Sequence, residues 1–413
     1  MNIKKNYLYV ESYVYPFKEG EKVLLYNSLN GNILEFDVKR NVENIISELV
    51  KPENNGVIEV ENGDIKVLES FIKKLRESYS GDLIYSETKP VIMTPILNLQ
   101  SDIVRMKSDI YRSVGEKIMK YLKTITFYIN SDCRKDCNIC MSLHKQFMFC
   151  KKGKRDKLEV REIMKVLREA EGSGLMEIKI IGGNVLLYDE LEKLTNEISE
   201  LKYSKQFYIN YGNIIDYPDK IIIFKNKEVL VKVLVEPWYR GKDLKEALKL
   251  LNSLRIDYGV EFVIKNLSNY ERVEVIIGDL KIEDKSELRP YYTGENIDFF
   301  RENVFIEKED IREEMLDFKE INGRRVLNFN DFGRLIVFED GSVYANVNNK
   351  KIGNIKIDSL YELIYREMDK GESWLKTRDK VEPCKTCLYK YLCPPISNYE
   401  YVIGKFNLCK IRS

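Results

Sequence analysis

The sequence predicts an α/β protein: a parallel sheet with crossover helices, open or curled into part of a barrel. A small N-terminal α+β unit precedes it and an irregular cysteine-rich tail follows. Three observations carry this reading. Apolar strand signals alternate with helical stretches from about residue 120 onward. Short turn-bounded strands and two amphipathic helices come before them. Eight cysteines fall in two groups, at 133, 137, 140 and 150 and at 384, 387, 393 and 409.

The elements follow in order. Lys22 to Phe36 reads as a hairpin around Asn30-Gly31, a pair suited to two positive φ angles in a tight turn. Val42 to Leu49 has helical spacing, and Pro52 to Gly56 is a turn. From Ile65 to Tyr79, Leu68, Phe71, Ile72 and Leu75 share one helix face. Lys89-Pro90 and Thr94-Pro95 mark the way out of this unit. Strands are expected at 125–129, 178–181, 207–209, 230–235, 260–264 and 273–277, with helices at 159–171, 188–202 and 243–254. Such alternation favours parallel strands, with chemistry in the loops at their carboxyl ends. Past residue 286 a hairpin surrounds Asp340-Gly341 and a helix spans 358–370. The expected domains are 1–100, 118–285 and 286–413.

Composition narrows the function. With 413 residues, 44% hydrophobic and 32% charged, the chain suits two or three packed domains. Lys plus Arg is 67 and Asp plus Glu is 66, so the net charge of +1 provides no field for a polyanion, and no nucleic-acid partner is expected. No apolar run approaches the roughly 20 residues of a membrane span, and the N-terminus lacks a secretory signal; no membrane partner and a cytoplasmic location are expected.

Two thiol groups more than 200 residues apart do not resemble a disulfide framework; clustered thiols in a reducing compartment favour metal or iron–sulfur ligation. His144 is the only histidine, which excludes a zinc site of two cysteines and two histidines. Cys133, Cys137 and Cys140 follow directly on the strand at 125–129. Three thiolates at this spacing can hold three corners of a cubane and leave the fourth iron open, as catalysis requires. The alternatives are a zinc knuckle, with His144 or Cys150 as fourth ligand, or thiols that are merely neighbours. The basic run from Lys151 to Arg155 reads as a solvated loop, or as a surface for an acidic peptide. In the tail, Cys384, Cys387, Cys393 and Cys409 are four ligands, enough to close a zinc site or a complete cubane, and metal binding would staple a segment with little core of its own.

The first group resembles the motif of the radical S-adenosylmethionine (SAM) superfamily, which implies a partial (β/α)6 barrel and a SAM-chelating 4Fe–4S cluster at Cys133, Cys137 and Cys140. Ile139 stands where that family has an aromatic residue. The family's Gly-Gly-Glu-Pro stretch reads Gly182-Gly183-Asn184-Val185, so Gly182, Gly183 and Asn184 are the implied SAM-binding residues. There the glycines would admit the ligand, and Asn184 would accept from its ammonium through the amide oxygen. The tail resembles a SPASM domain, implying a second 4Fe–4S cluster on Cys384, Cys387, Cys393 and Cys409. Ser397 and the stretch Ala345-Asn346 replace cysteines of that domain's other cluster.

The whole chain is similar to the pseudo-radical-SAM proteins of the Bacteroidales Gly-Gly peptide system. The stretches that carry this are 24–31, Leu97-Asn98-Leu99-Gln100, Ile181 to Asn184, Gly353-Asn354-Ile355 and Ser397-Asn398-Tyr399-Glu400. The resemblance implies a role in modifying a ribosomally synthesised precursor peptide, as a radical SAM enzyme or as a non-catalytic partner of the peptide or of an active maturase. The hairpin and helices at 22–79 suit a winged-helix-like element that takes the peptide's leader as an added strand, or a structural contact. No acid or base is nominated, because substrate-facing residues of such barrels come from scattered loops.

Overall fold

A computed structural model describes residues 4–37, 40–92, 115–135, 137, 139–153 and 156–411. Thr94-Pro95 and Leu97 to Gln100 lie outside the described residues, as do Asp136, Asn138, Lys154 and Arg155.

Two small antiparallel sheets form the N-terminal part. Strand β1 (Lys5–Val10) lies between β5 (Val57–Val60) and β6 (Gly81–Ser86), while β2 (Val14–Glu19), β3 (Lys22–Asn27) and β4 (Ile33–Asp37) form a meander. The helix Asn62–Glu77 buries Leu68, Phe71, Ile72 and Leu75, the face its spacing predicts. The β3–β4 connection departs from the expected two-residue turn. Residues 28–32 form the loop, and Gly31 alone in it takes a positive φ, +72°. Asn30 instead uses its side-chain oxygen to accept from the Asn32 N–H, so a longer Asx-type turn does the work.

Among the described residues, the large sheet has nine strands. Strands β7 (Thr124–Tyr128), β8 (Glu177–Ile181), β9 (Ser204–Asn210), β10 (Leu230–Val235), β11 (Tyr258–Ile264) and β12 (Ser286–Pro290) run parallel in sequence order. On the other side of β7, strand β13 (Arg334–Val337) also pairs parallel, and β14 (Ser342–Tyr344) and β15 (Gly353–Asn354) complete the edge. One core takes Ile125, Phe127, Ile178, Ile180, Phe207 and Val233 from the sheet, with Ile163, Leu194, Leu248 and Leu363 from helices. Crossover helices thus cover one face, the winding of a barrel segment rather than of a doubly wound sheet.

The strand expected at 273–277 is wrong: this segment lies within the helix Leu267–Leu280. Val273, Ile276 and Ile277 are buried while Val275 is 67% exposed, so the apolar run is a helix face. Asn266 caps its start, accepting from the Asn269 N–H. The sixth parallel strand is β12, whose sequence Ser-Glu-Leu-Arg-Pro hides it. Glu287 pairs with Lys232 at 2.6 Å and Arg289 with Glu261 at 3.1 Å, so charges fill the face where apolar residues were sought.

The outer face of the β2–β4 meander docks on the tail. Tyr15, Leu24 and Tyr26 pack with Leu316, Ile321, Tyr391 and Leu392. The Tyr26 hydroxyl accepts from the Leu316 N–H at 2.7 Å and donates to the Leu316 carbonyl at 3.1 Å. Among the described residues, no helix is long and apolar enough to cross a membrane.

Candidate metal centres

The first centre sits at the carboxyl ends of the parallel strands. The chain leaves β7 at Tyr128, and the loop that follows carries Cys133 and Cys137; Cys140 opens the helix Cys140–Gln146. These three thiols line one small cavity together with Cys150, Lys152, Gly183 from the loop after β8, and Asn210 from the end of β9. The cavity is thus built from the ends of three adjacent strands. Burial is the largest cause for each: it raises Cys133 against a backbone hydrogen bond, pushes Cys137 up to about 11 with the Glu236 charge next, and drives Cys150 well above its ordinary value with the other thiols adding to it. Such thiols stay protonated at neutral pH unless a metal takes the proton's place.

The double glycine has a packing explanation. A methyl group on Gly182 would meet Asn130 Oδ1 at 2.2 Å and the Asn130 carbonyl oxygen at 2.7 Å. On Gly183 it would meet the Asp132 carbonyl oxygen at 2.4 Å. Both glycines therefore let the loop after β8 press against the loop after β7. The Gly183 N–H donates to the Asn130 carbonyl at 2.8 Å and the Gly182 carbonyl accepts from the Lys151 N–H at 3.1 Å. Asn184 is buried, and its Oδ1 accepts from the Leu186 N–H at 3.0 Å. Its Nδ2 has no partner, so the group left over is a donor.

His144 stands apart from the thiols. Its Nδ1 lies 3.2 Å from the Cys140 carbonyl, and its ring lines a separate cavity with Tyr128 and Arg289. Burial and the nearby Lys151 charge lower it to about 4, which keeps it neutral at physiological pH.

The second centre brings all four tail thiols together: Cys384, Cys387, Cys393 and Cys409 line one cavity beside Arg378 and Lys390. Cys409 is placed by backbone bonds that Ile306 makes to Leu408 at 3.0 Å and to Lys410 at 2.9 Å. Cys384 donates to the Phe406 carbonyl at 2.9 Å and lies 3.6 Å from Arg378 Nη1. Arg378 also pairs with Glu400 at 2.9 Å in a fully buried ion pair. Against the cost of burial, Glu400 and the neighbouring thiolates hold that guanidinium firmly charged. Ser397 donates from N and Oγ to Glu400 Oε2, and so serves as a helix start.

Among the described residues, no three His, Cys, Asp or Glu side chains converge closely enough to grip a single metal ion. Each group of four thiols lines a single cavity. The sequence offers Cys150 as an ordinary loop side chain or as the fourth ligand of a zinc site; its place in this cavity depends on a loop path that spacing does not reveal.

No family model matches the chain, and no curated protein matches it. Among solved structures it is similar to Streptococcus suis SuiB bound to precursor peptide SuiA, with 13% identity, 98% of this chain and 99% of that chain covered, and a TM-score of 0.44. SuiB bound to S-adenosylmethionine gives 14% identity over 98% and 99% of the two chains, with a TM-score of 0.41. Native anSMEcpe with bound AdoMet and Cp18Cys peptide gives 16% identity over 69% and 96%, with a TM-score of 0.44. Likenesses this loose do not bear on the chemistry of this chain.

Proposed function

We propose that the protein is an iron–sulfur protein of the radical SAM/SPASM class that holds two 4Fe–4S clusters and serves the modification of a ribosomally synthesised peptide as a non-catalytic partner. One observation carries the iron–sulfur reading: the chain's eight cysteines sort into two cavities of four, with none left over. When bound, such clusters supply structural cross-links and electron transfer. Cys384, Cys387, Cys393 and Cys409 would hold the second, with Arg378 offsetting thiolate charge.

SAM fits the residues poorly. Its methionine moiety would need Gly182, Gly183 and Asn184, yet the glycine α-carbons abut the neighbouring loop and the Asn184 oxygen already caps a turn. The Asn184 Nδ2 left over is a donor, so it cannot take the place of an acceptor for the ammonium. This disfavours the enzymatic reading, in which a radical is generated at the first cluster.

For the peptide, the support is a groove along β2, an edge strand of its meander, lined by Val14, Pro16 and Lys18 and by Phe318 and Arg325. An extended peptide laid along this edge gains main-chain hydrogen bonds on either side of Pro16, which has no N–H to give. Anaerobic purification with iron and sulfide analysis tests the proposal: about eight irons per chain are expected. Mixing reduced protein with SAM should yield no 5′-deoxyadenosine above a Cys137→Ala control; clear formation above it would establish the enzymatic reading instead. Capture of the precursor peptide or of an active maturase would support the partner role.

A further inference from the structure

We infer that Cys150 is the fourth protein ligand of the first cluster, closing the corner that a SAM-cleaving cluster leaves open. The inference rests on the iron–sulfur reading above and specifies which kind of cluster the first cavity holds.

The segment carrying Cys150 is pinned on both sides. Before it, the Phe149 carbonyl accepts from the Tyr128 hydroxyl at 3.2 Å. After it, the Lys151 N–H donates to the Gly182 carbonyl at 3.1 Å, and the Gly153 N–H donates to the Ser131 carbonyl at 3.1 Å. Lys151 Nζ sits 4.1 Å from the Phe338 ring centroid and 3.8 Å from Glu339. Gly153 allows this close approach, since a methyl there would meet the Ser131 side chain at 2.7 Å. The segment is therefore laid across the ends of β7 and β8 with Cys150 on its buried side. Its side chain is 7% exposed and lines the same cavity as Cys133, Cys137 and Cys140. His144, the rival fourth ligand, lines a different cavity.

Four thiolates around one space match the four corners of a cubane, and a cubane ligated on every corner presents no iron to an amino-acid ligand. The same segment takes up the Gly182 carbonyl. Full ligation would exclude SAM by occupying the metal. Cys150 also packs with Tyr128, Leu143 and Phe149, which holds its thiol toward the other three.

The test uses the reconstituted full-length protein and compares wild type with Cys150→Ala and Cys150→Ser. Iron is counted first, and a wild type free of iron would remove the iron–sulfur reading itself. With iron present, the electron paramagnetic resonance spectrum of reduced wild type should not change on adding excess SAM. Mild oxidation should leave its clusters four-iron. In Cys150→Ala the first cluster should lose about one iron in four on the same treatment and give a three-iron signal. The serine variant, closer in size and shape, guards against loss of fold and should show a shifted spectrum from oxygen ligation. A wild-type spectrum that changes with SAM, or an alanine variant that keeps its irons under oxidation, would overturn the inference while leaving the iron–sulfur reading intact.

Discussion

Asn346 donates from Nδ2 to Asp331 Oδ1 at 2.8 Å, and from the same atom to Asn398 Oδ1 at 2.7 Å. This buried amide joins the exit of the β13–β14 hairpin to the start of the helix Asn398–Ile403. A polar network thus links these two stretches. Asn328 adds a donor to Asp331 Oδ2 at 3.1 Å.

Asp331 should make stability depend on pH. Burial, only partly offset by the Asn346 hydrogen bond, raises it from 3.8 to about 7. The folded state therefore holds this proton more tightly than the unfolded chain does. The stability it contributes is full below about pH 4 and is lost as pH rises through about 7. Thermal melts of Asp331→Asn between pH 4 and 8 should show a flatter pH slope than wild type, whatever the variant's absolute stability.

Breaking the Arg378–Glu400 pair should loosen the second centre. Removing one partner of a buried ion pair costs roughly 3–5 kcal/mol, because the other charge is left uncompensated. Glu400→Gln should lower the melting temperature and reduce iron at the tail, and Arg378→Met should do so more strongly, since it also strips the contact to Cys384. Iron counts alongside calorimetry check this; unchanged iron in both variants would contradict it.

Gly183→Ala separates packing from ligand approach. The added methyl collides with the Asp132 carbonyl, so a loss of about 1–3 kcal/mol is expected in protein without any added SAM. Chemical denaturation measures it. An alanine variant as stable as wild type would return the glycine to a ligand-facing role.

Glu35 ties the N-terminal meander to the tail. Burial opposes its ionisation, but hydrogen bonds from Tyr389 and from Lys308 at 3.0 Å outweigh burial and lower its pKa. Glu35→Gln should cost about 1–2 kcal/mol, and a double-mutant cycle with Tyr389→Phe should show coupling between the two.

Much of this fold is legible before the structure is known, where burial imposes a short repeat. Leu68, Phe71, Ile72 and Leu75 announce their helix face, and the largely apolar runs at 178–181 and 230–235 announce strands packed against the core. Legibility fails where a half-exposed strand position is filled by a charge paired across the sheet. Strand β12 reads as polar because Arg289 finds Glu261 on neighbouring β11 and Glu287 reaches Lys232 on β10, one strand further. The run at 273–277 misleads because five residues are too few to tell a helix face from a strand.

The amino-acid sequence alone determined the donor chemistry: eight thiols, one histidine, and three of those thiols just past the first strand of a βα repeat. Local spacing suffices for that, since it concerns neighbours along the chain. Only the tertiary structure decided that Cys150 joins the first set, that Gly182 and Gly183 serve loop packing, and that the meander docks on the tail. Each of these depends on where separate segments meet, and chain neighbours carry no record of such long-range contacts.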